Sequence, residues 1–194
     1  MARRLLAVLL LATECAPLAA ALAAGPAASA TPEFRLASAE LAPGGRFEQR
    51  HVFSGFGCHG GNVSPALSWS GAPPGTRSFA ISVFDPDAPT GKGWWHWLIY
   101  DIPATRTALP AGAGDPASGR APAGALQAVT DFGTAGFGGP CPPAGDKPHR
   151  YVFTLYALKV DTLAASPGAT AAVVDSMLGA NAIGKSSFTV YYGR

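Results

Sequence analysis

Two aspartates, two histidines and a tyrosine sit where extended segments of this sequence begin or end. Asp85 and Asp87 belong to Asp85-Pro86-Asp87-Ala88-Pro89, His96 to Trp94-Trp95-His96-Trp97, and His149 and Tyr151 to His149-Arg150-Tyr151. Carboxylates facing imidazoles can bind an anion, move a proton or ligate a metal. In a strand the side chains alternate, so Phe79, Ile81, Val83 and Asp85 share one side. Asp85 therefore ends an apolar row, where a carboxylate needs a partner because an unpaired buried charge is costly. Pro86 and Pro89 fix backbone angles around both aspartates and stiffen the loop. By the same alternation His96 is expected on the side of Leu98 and Tyr100, with Trp95, Trp97 and Ile99 opposite, while His149 shares a side with Tyr151 and Phe153. A histidine among aromatics is ordinarily a packed core residue. Here two of only four histidines open strongly apolar strands, at the edge of a core where a pocket would form. Between them Gly136-Phe137-Gly138-Gly139-Pro140-Cys141-Pro142-Pro143 supplies backbone that an anion can approach closely, although a structural turn would read the same way.

These residues need a scaffold of strands. Runs rich in β-branched and aromatic residues over 46–53, 78–85, 96–102, 149–160 and 187–192 read as strands. The 24 glycines and 18 prolines fall mostly between them, which predicts a mainly β fold with long ordered loops. Only 170–182 reads as a helix, with Val173, Val174, Met177 and Leu178 apolar after the Pro167-Gly168 break. Residues 110–124 nearly lack large apolar side chains and read as a surface loop rather than a linker, so 31–194 is expected to form one domain. The 194 residues are 48% hydrophobic, enough for one core. A formal charge of only +2, one unit lower without Arg3, Arg4 and Glu14, gives no basis for a nucleic-acid-binding surface.

Residues 1–30 combine Arg3-Arg4, an apolar run from Leu5 to Ala12 and an alanine-rich stretch, the pattern of a secretory signal cleaved after Ala24 or Ala30. Glu14 and Pro17 interrupt the run, so it is too short to span a bilayer. Thr13-Glu14 is a poor context for a lipid anchor on Cys15. The expected location is periplasmic or extracellular. Loss of the signal leaves Cys58 and Cys141, a pair more often bridged than free in an oxidising compartment. Two buried thiols, or a metal site with His59, are the alternatives.

Some matching patterns lack the required context. Gly179-Ala180-Asn181-Ala182-Ile183-Gly184-Lys185-Ser186 fits the nucleotide-binding G-x-x-x-x-G-K-S expression, but a helix-like segment precedes it and a strand-like one follows, the reverse of what that loop needs. Asn62-Val63-Ser64 is a glycosylation sequon followed by Pro65. There is no G-x-S-x-G nucleophile elbow.

Taken together, DPDAP at 85–89, WHWLIYDIP at 95–103, GGPCPP at 138–143 and HRYVFTLYAL at 149–158 resemble the bacterial, Raf-kinase-inhibitor-like branch of the phosphatidylethanolamine-binding protein family. Asn62 to Trp69 and the closing Tyr192-Gly193-Arg194 fit as well, and the resemblance runs from about residue 34 to 194. It implies a β-sandwich, a large antiparallel sheet on a smaller one, with Greek-key connections, few short helices and an anion pocket at one end. Carried over by motif, the pocket comprises Asp85, Asp87, Pro89, His96, Gly139, Pro140, His149 and Tyr151. No cofactor is implied. A divalent metal on Asp85, Asp87, His96 and His149 is the competing occupant, and the resemblance favours the anion. The expected partner is a small anionic or phosphorylated ligand. A modulator of a protease or kinase partner and a hydrolase using Asp85 with a histidine are the rival readings, and a homodimer would be compatible with any of them. The loop between Pro89 and His96 is short, and the chain stops at Arg194 without the C-terminal helix of eukaryotic members. Lipid-headgroup preference and kinase inhibition are therefore not carried over.

Overall fold

A computed structural model describes residues 33–194, so the expected signal and its cleavage sites lie outside the described residues. In chain order the strands are β1 (Arg35–Ala37), β2 (Ser54–Gly55), β3 (Cys58–His59), β4 (Leu67–Ser70), β5 (Ser78–Asp85), β6 (Trp94–Pro103), β7 (Ala108–Leu109), β8 (Leu126–Gln127), β9 (His149–Leu158) and β10 (Ala182–Tyr192). Among the described residues the α-helix is α1 (Ala171–Asn181), which runs directly into β10.

The large sheet has the order β10-β9-β5-β6-β8, and each recorded pairing is antiparallel. Within this sheet β9 returns beside β5 after β5, β6 and β8, which is the Greek-key order. A smaller sheet, β1-β4-β7, packs on one face. Its Leu36, Leu67, Trp69 and Leu109 meet Phe79, Ile81, Val83, Ile99, Phe153 and Leu155. On the other face Ala171, Val174 and Leu178 of α1 cover Ala80, Leu98, Tyr100, Tyr156 and Leu158. Because β5 is paired on both edges and covered on both faces, nearly all of its residues are buried. Each large apolar side chain removed from water in this way contributes ~1.5–3 kcal/mol.

Two sequence expectations change. Residues 46–53 form no strand: Arg46 makes a single bridge to Tyr191, and Gln49–His51 is a short 3-10 turn. The buried residues there are Phe47, His51 and Val52, a spacing that follows a turn rather than an alternating strand. The 110–124 segment is mostly exposed, but Ala113 belongs to the main core. The G-x-x-x-x-G-K-S residues divide between the end of α1 and the start of β10, so they form no phosphate-binding loop.

Candidate functional site

Asp85, at the end of the central strand, is 2% exposed. Its Oδ1 accepts the Asp87 backbone N–H at 2.8 Å, closing the proline-stiffened loop on itself. Its Oδ2 lies 2.8 Å from His149 Nδ1, the first residue of the adjacent strand β9. Asp87 points away from this pair. Its carboxylate accepts from the Arg150 backbone N–H at 2.8 Å and from Arg150 Nε and Nη2 at 2.9 and 2.6 Å. That guanidinium fork holds the Asp87 carboxyl at about 2, below the ordinary carboxylate range. Asp87 thus fastens the loop to β9 and fixes Asp85 against His149.

His96 reaches the same place by a different device. Val83 pairs with Trp97 and Phe84 with Trp95, so His96 is the extra residue of a β-bulge. The bulge reverses the side-chain alternation. Trp97 and Ile99 face the small sheet, Leu98 and Tyr100 face the helix, and Trp95 packs on the helix side. His96 therefore does not share the environment of Leu98 and Tyr100 as simple alternation predicts. It turns toward β5 and β9, with Nε2 4.0 Å from Asp85 Oδ2 and its ring edge-on to Tyr151 at 5.0 Å. Nδ1 lies 2.7 Å from the Gly138 carbonyl oxygen, an acceptor, so that nitrogen carries the proton. Burial pushes the imidazole below its ordinary range, against the opposing pull of the Gly138 carbonyl and Asp85. In the neutral ring this leaves the lone pair on Nε2.

The glycines beside His96 are required by close contacts. Gly138 also donates its N–H to the His96 carbonyl at 2.8 Å, and a Cβ there would collide with the Phe132 ring. Gly139 donates to Asn62 Oδ1 at 2.7 Å, and its Cβ would fall on the His51 carbonyl oxygen. Pro140 accepts the Phe53 N–H at 3.2 Å. Gly139 and Pro140 thus build the wall behind the cavity, while Asp87 braces it from the side.

The cavity itself has a volume of about 170 Å³. Asp85, Pro89, His96, His149 and Tyr151, all singled out from sequence, line it. Its floor is polar: Asp85, both imidazoles and the Tyr151 hydroxyl, which is buried and makes no hydrogen bond within the protein among the described residues. Burial and the neighbouring Asp85 carboxylate push the Tyr151 phenol well above the usual tyrosine range, so it remains a donor. The second ring nitrogen of His149 faces Asp146 Oδ2 at 3.4 Å.

The rim is aromatic, and the sequence did not single it out. Phe132 stacks with Phe56 at 6.0 Å, meets Trp94 edge-on at 5.5 Å and lies edge-on to His96 at 5.4 Å. Phe56 and Gly57 form the two-residue turn between β2 and β3, with φ of 51° and 79°. Positive φ at both positions is what a tight primed hairpin turn requires, and it strains a bulky residue such as Phe56. The turn is tethered twice. Cys58 and Cys141 form a disulfide, and Arg194 donates to the Gly57 and Pro142 carbonyls at 3.0 and 2.6 Å. A 68% exposed phenylalanine is thereby held over the mouth.

This arrangement agrees with what the chain is similar to. The Escherichia coli protein YbcL is 52% identical over 159 residues, covering 82% of this chain and 87% of YbcL. Its crystal structure, described as a new member of the mammalian PEBP family, superposes with a TM-score of 0.82 over 84% of this chain and 99% of that one. E. coli YbhB is 41% identical over 158 residues, covering 81% of this chain and 99% of YbhB. The solved Chlamydia trachomatis protein CT736 is 28% identical with a TM-score of 0.69, covering 83% of this chain and 97% of that one. The family model for phosphatidylethanolamine-binding protein matches residues 37–193, spanning the whole of the large sheet, the aspartate loop and every residue of the cavity. With its fold, its pocket and nearly its whole described length accounted for, the chain belongs to the phosphatidylethanolamine-binding protein family.

Proposed function

We propose that this chain is a non-enzymatic binding protein of the cell envelope that takes a small phosphate-bearing or similarly acidic ligand in the Asp85–His96–His149 cavity. The observation that carries this reading is the buried, partnerless Tyr151 hydroxyl on a polar floor beneath an aromatic rim. A buried hydroxyl without a partner is costly. An oxyanion oxygen accepting from it, beside the His149 ring, would relieve that cost, while an apolar remainder of the ligand lies on Phe56, Trp94 and Phe132. A binding role is also supported by the side chains available for nucleophilic attack. Cys141 is committed to the disulfide, and the Thr90 hydroxyl donates to the Gly93 carbonyl at 2.6 Å. The disulfide and the signal-like 1–30 segment both favour an oxidising location such as the periplasm.

Calorimetric titration with inorganic phosphate and with O-phosphoethanolamine tests the reading. At pH 6 both are expected to bind, and His149→Ala should weaken binding by at least about tenfold, because the Asp85 carboxylate loses its Nδ1 hydrogen bond, worth ~1.5–3 kcal/mol for a charged acceptor. Unchanged affinity in that variant would place the ligand elsewhere.

A further inference from the structure

The hydrogen-bonding inventory of the cavity floor narrows the ligand class, taking the proposed acid-binding role as given. Three features face the space beneath the aromatic rim. Asp85 is an acceptor with capacity left over: a carboxylate has about four lone-pair sites, and the Asp87 N–H and His149 Nδ1 occupy two. His96 is also an acceptor at Nε2, because its Nδ1 proton is committed to the Gly138 carbonyl at 2.7 Å. Tyr151 supplies a hydroxyl that can donate.

Among the described residues no lysine or arginine lines the cavity. Arg150, next to His149 on β9, is held by Asp87. Lys92, from the loop before β6, pairs with Asp131 at 3.1 Å, and Asp131 itself is anchored by the Trp95 N–H. Lys147 and Asp146 border the neighbouring groove with Tyr191, and Asp146 faces the far nitrogen of His149. A fully deprotonated dianion entering here would set its own lone pairs against the Asp85 carboxylate and the His96 lone pair, with no fixed cation to compensate. An acid that keeps one proton avoids this conflict. Its O–H donates to Asp85 or His96, and a charged oxygen accepts from the Tyr151 hydroxyl.

We infer that the site is selective for oxyacids that retain an acidic proton, hydrogen phosphate and phosphomonoester monoanions among them, and excludes aprotic oxyanions of the same shape. This rests on the proposed function and specifies its ligand. The Nδ1 bond to the Gly138 carbonyl leaves Nε2 as the acceptor of the ring, and burial lowers the ring's basicity.

Inorganic phosphate, methyl phosphate and sulfate separate the possibilities by calorimetry on the wild-type protein at pH 6 and pH 8. Inorganic phosphate keeps a proton at both pH values and is expected to bind at both. Methyl phosphate loses its last proton with a pKa of ~6, so its affinity should fall about 50-fold between pH 6 and pH 8. Sulfate, tetrahedral and without a proton, should bind at neither. Sulfate binding as tightly as phosphate, or methyl phosphate binding equally at the two pH values, would overturn the inference and leave the anion pocket standing. Failure of phosphate and methyl phosphate alike at pH 6 would overturn the proposed function and this inference with it.

Discussion

Asp85→Ala is expected to abolish ligand binding and to lower folding stability by about 2–6 kcal/mol, at ~1–3 kcal/mol for each of the two donors that lose their acceptor. The carboxylate is 2% exposed and accepts two hydrogen bonds. Without it, the His149 Nδ1 proton and the Asp87 N–H lose their acceptor inside the protein. The loop carrying Pro89 would also lose its closing bond, so the cavity wall would loosen together with the floor. Urea denaturation reads the stability change and phosphate calorimetry reads the binding. Asp85→Asn keeps the volume and one acceptor oxygen, so it should lose less stability than the alanine variant. A stability loss below about 1 kcal/mol in Asp85→Ala, in the range of an exposed ion pair, would contradict the buried pairing described above.

Opening the Cys58–Cys141 bridge should have an effect of similar size. The two residues are 83 apart in sequence, and in the chain-entropy account a loop of that length stabilises the fold by about 4.5 kcal/mol. The same bond ties the Phe56 turn to the Cys141-Pro142-Pro143 wall. A Cys58→Ser/Cys141→Ser variant should therefore unfold at markedly lower urea and also bind ligand more weakly, as Phe56 leaves its place on Phe132. Arg194 still holds the turn to Pro142, so binding should weaken rather than vanish. An unchanged urea midpoint in the double variant would show that the bridge carries no such load.

Much of this site is legible in the sequence alone. The long strands 78–85 and 149–158 announce themselves by composition, and strict alternation places Asp85 and His149 on the side of Val83 and Phe153, where the structure has them. Alternation misplaces His96, because a one-residue bulge leaves no mark in the hydrophobic pattern yet reverses every side chain beyond it. The short strands β2, β3, β7 and β8 have two residues each, too few to show any period. Phe56 and Phe132 come from turns, where position depends on tertiary contacts: the disulfide for one, and the Asp131 anchor with the Gly138 gap for the other. The motif resemblance named Asp87 and Gly139 alongside Asp85 and His149. Only geometry separates residues that line the cavity from those that brace it.

Nitrogen-15 imidazole spectra of the four histidines, recorded during a phosphate titration, test the central claim most directly. Before phosphate is added, His96 should show the tautomer protonated at Nδ1. On addition, its Nε2 signal should move toward that of a hydrogen-bonded nitrogen, the His149 ring should shift with it, and the exposed His59 should stay in place. Shifts confined to His59 or His51, with His96 and His149 unmoved, would show that phosphate binds elsewhere and that this cavity is not the ligand site.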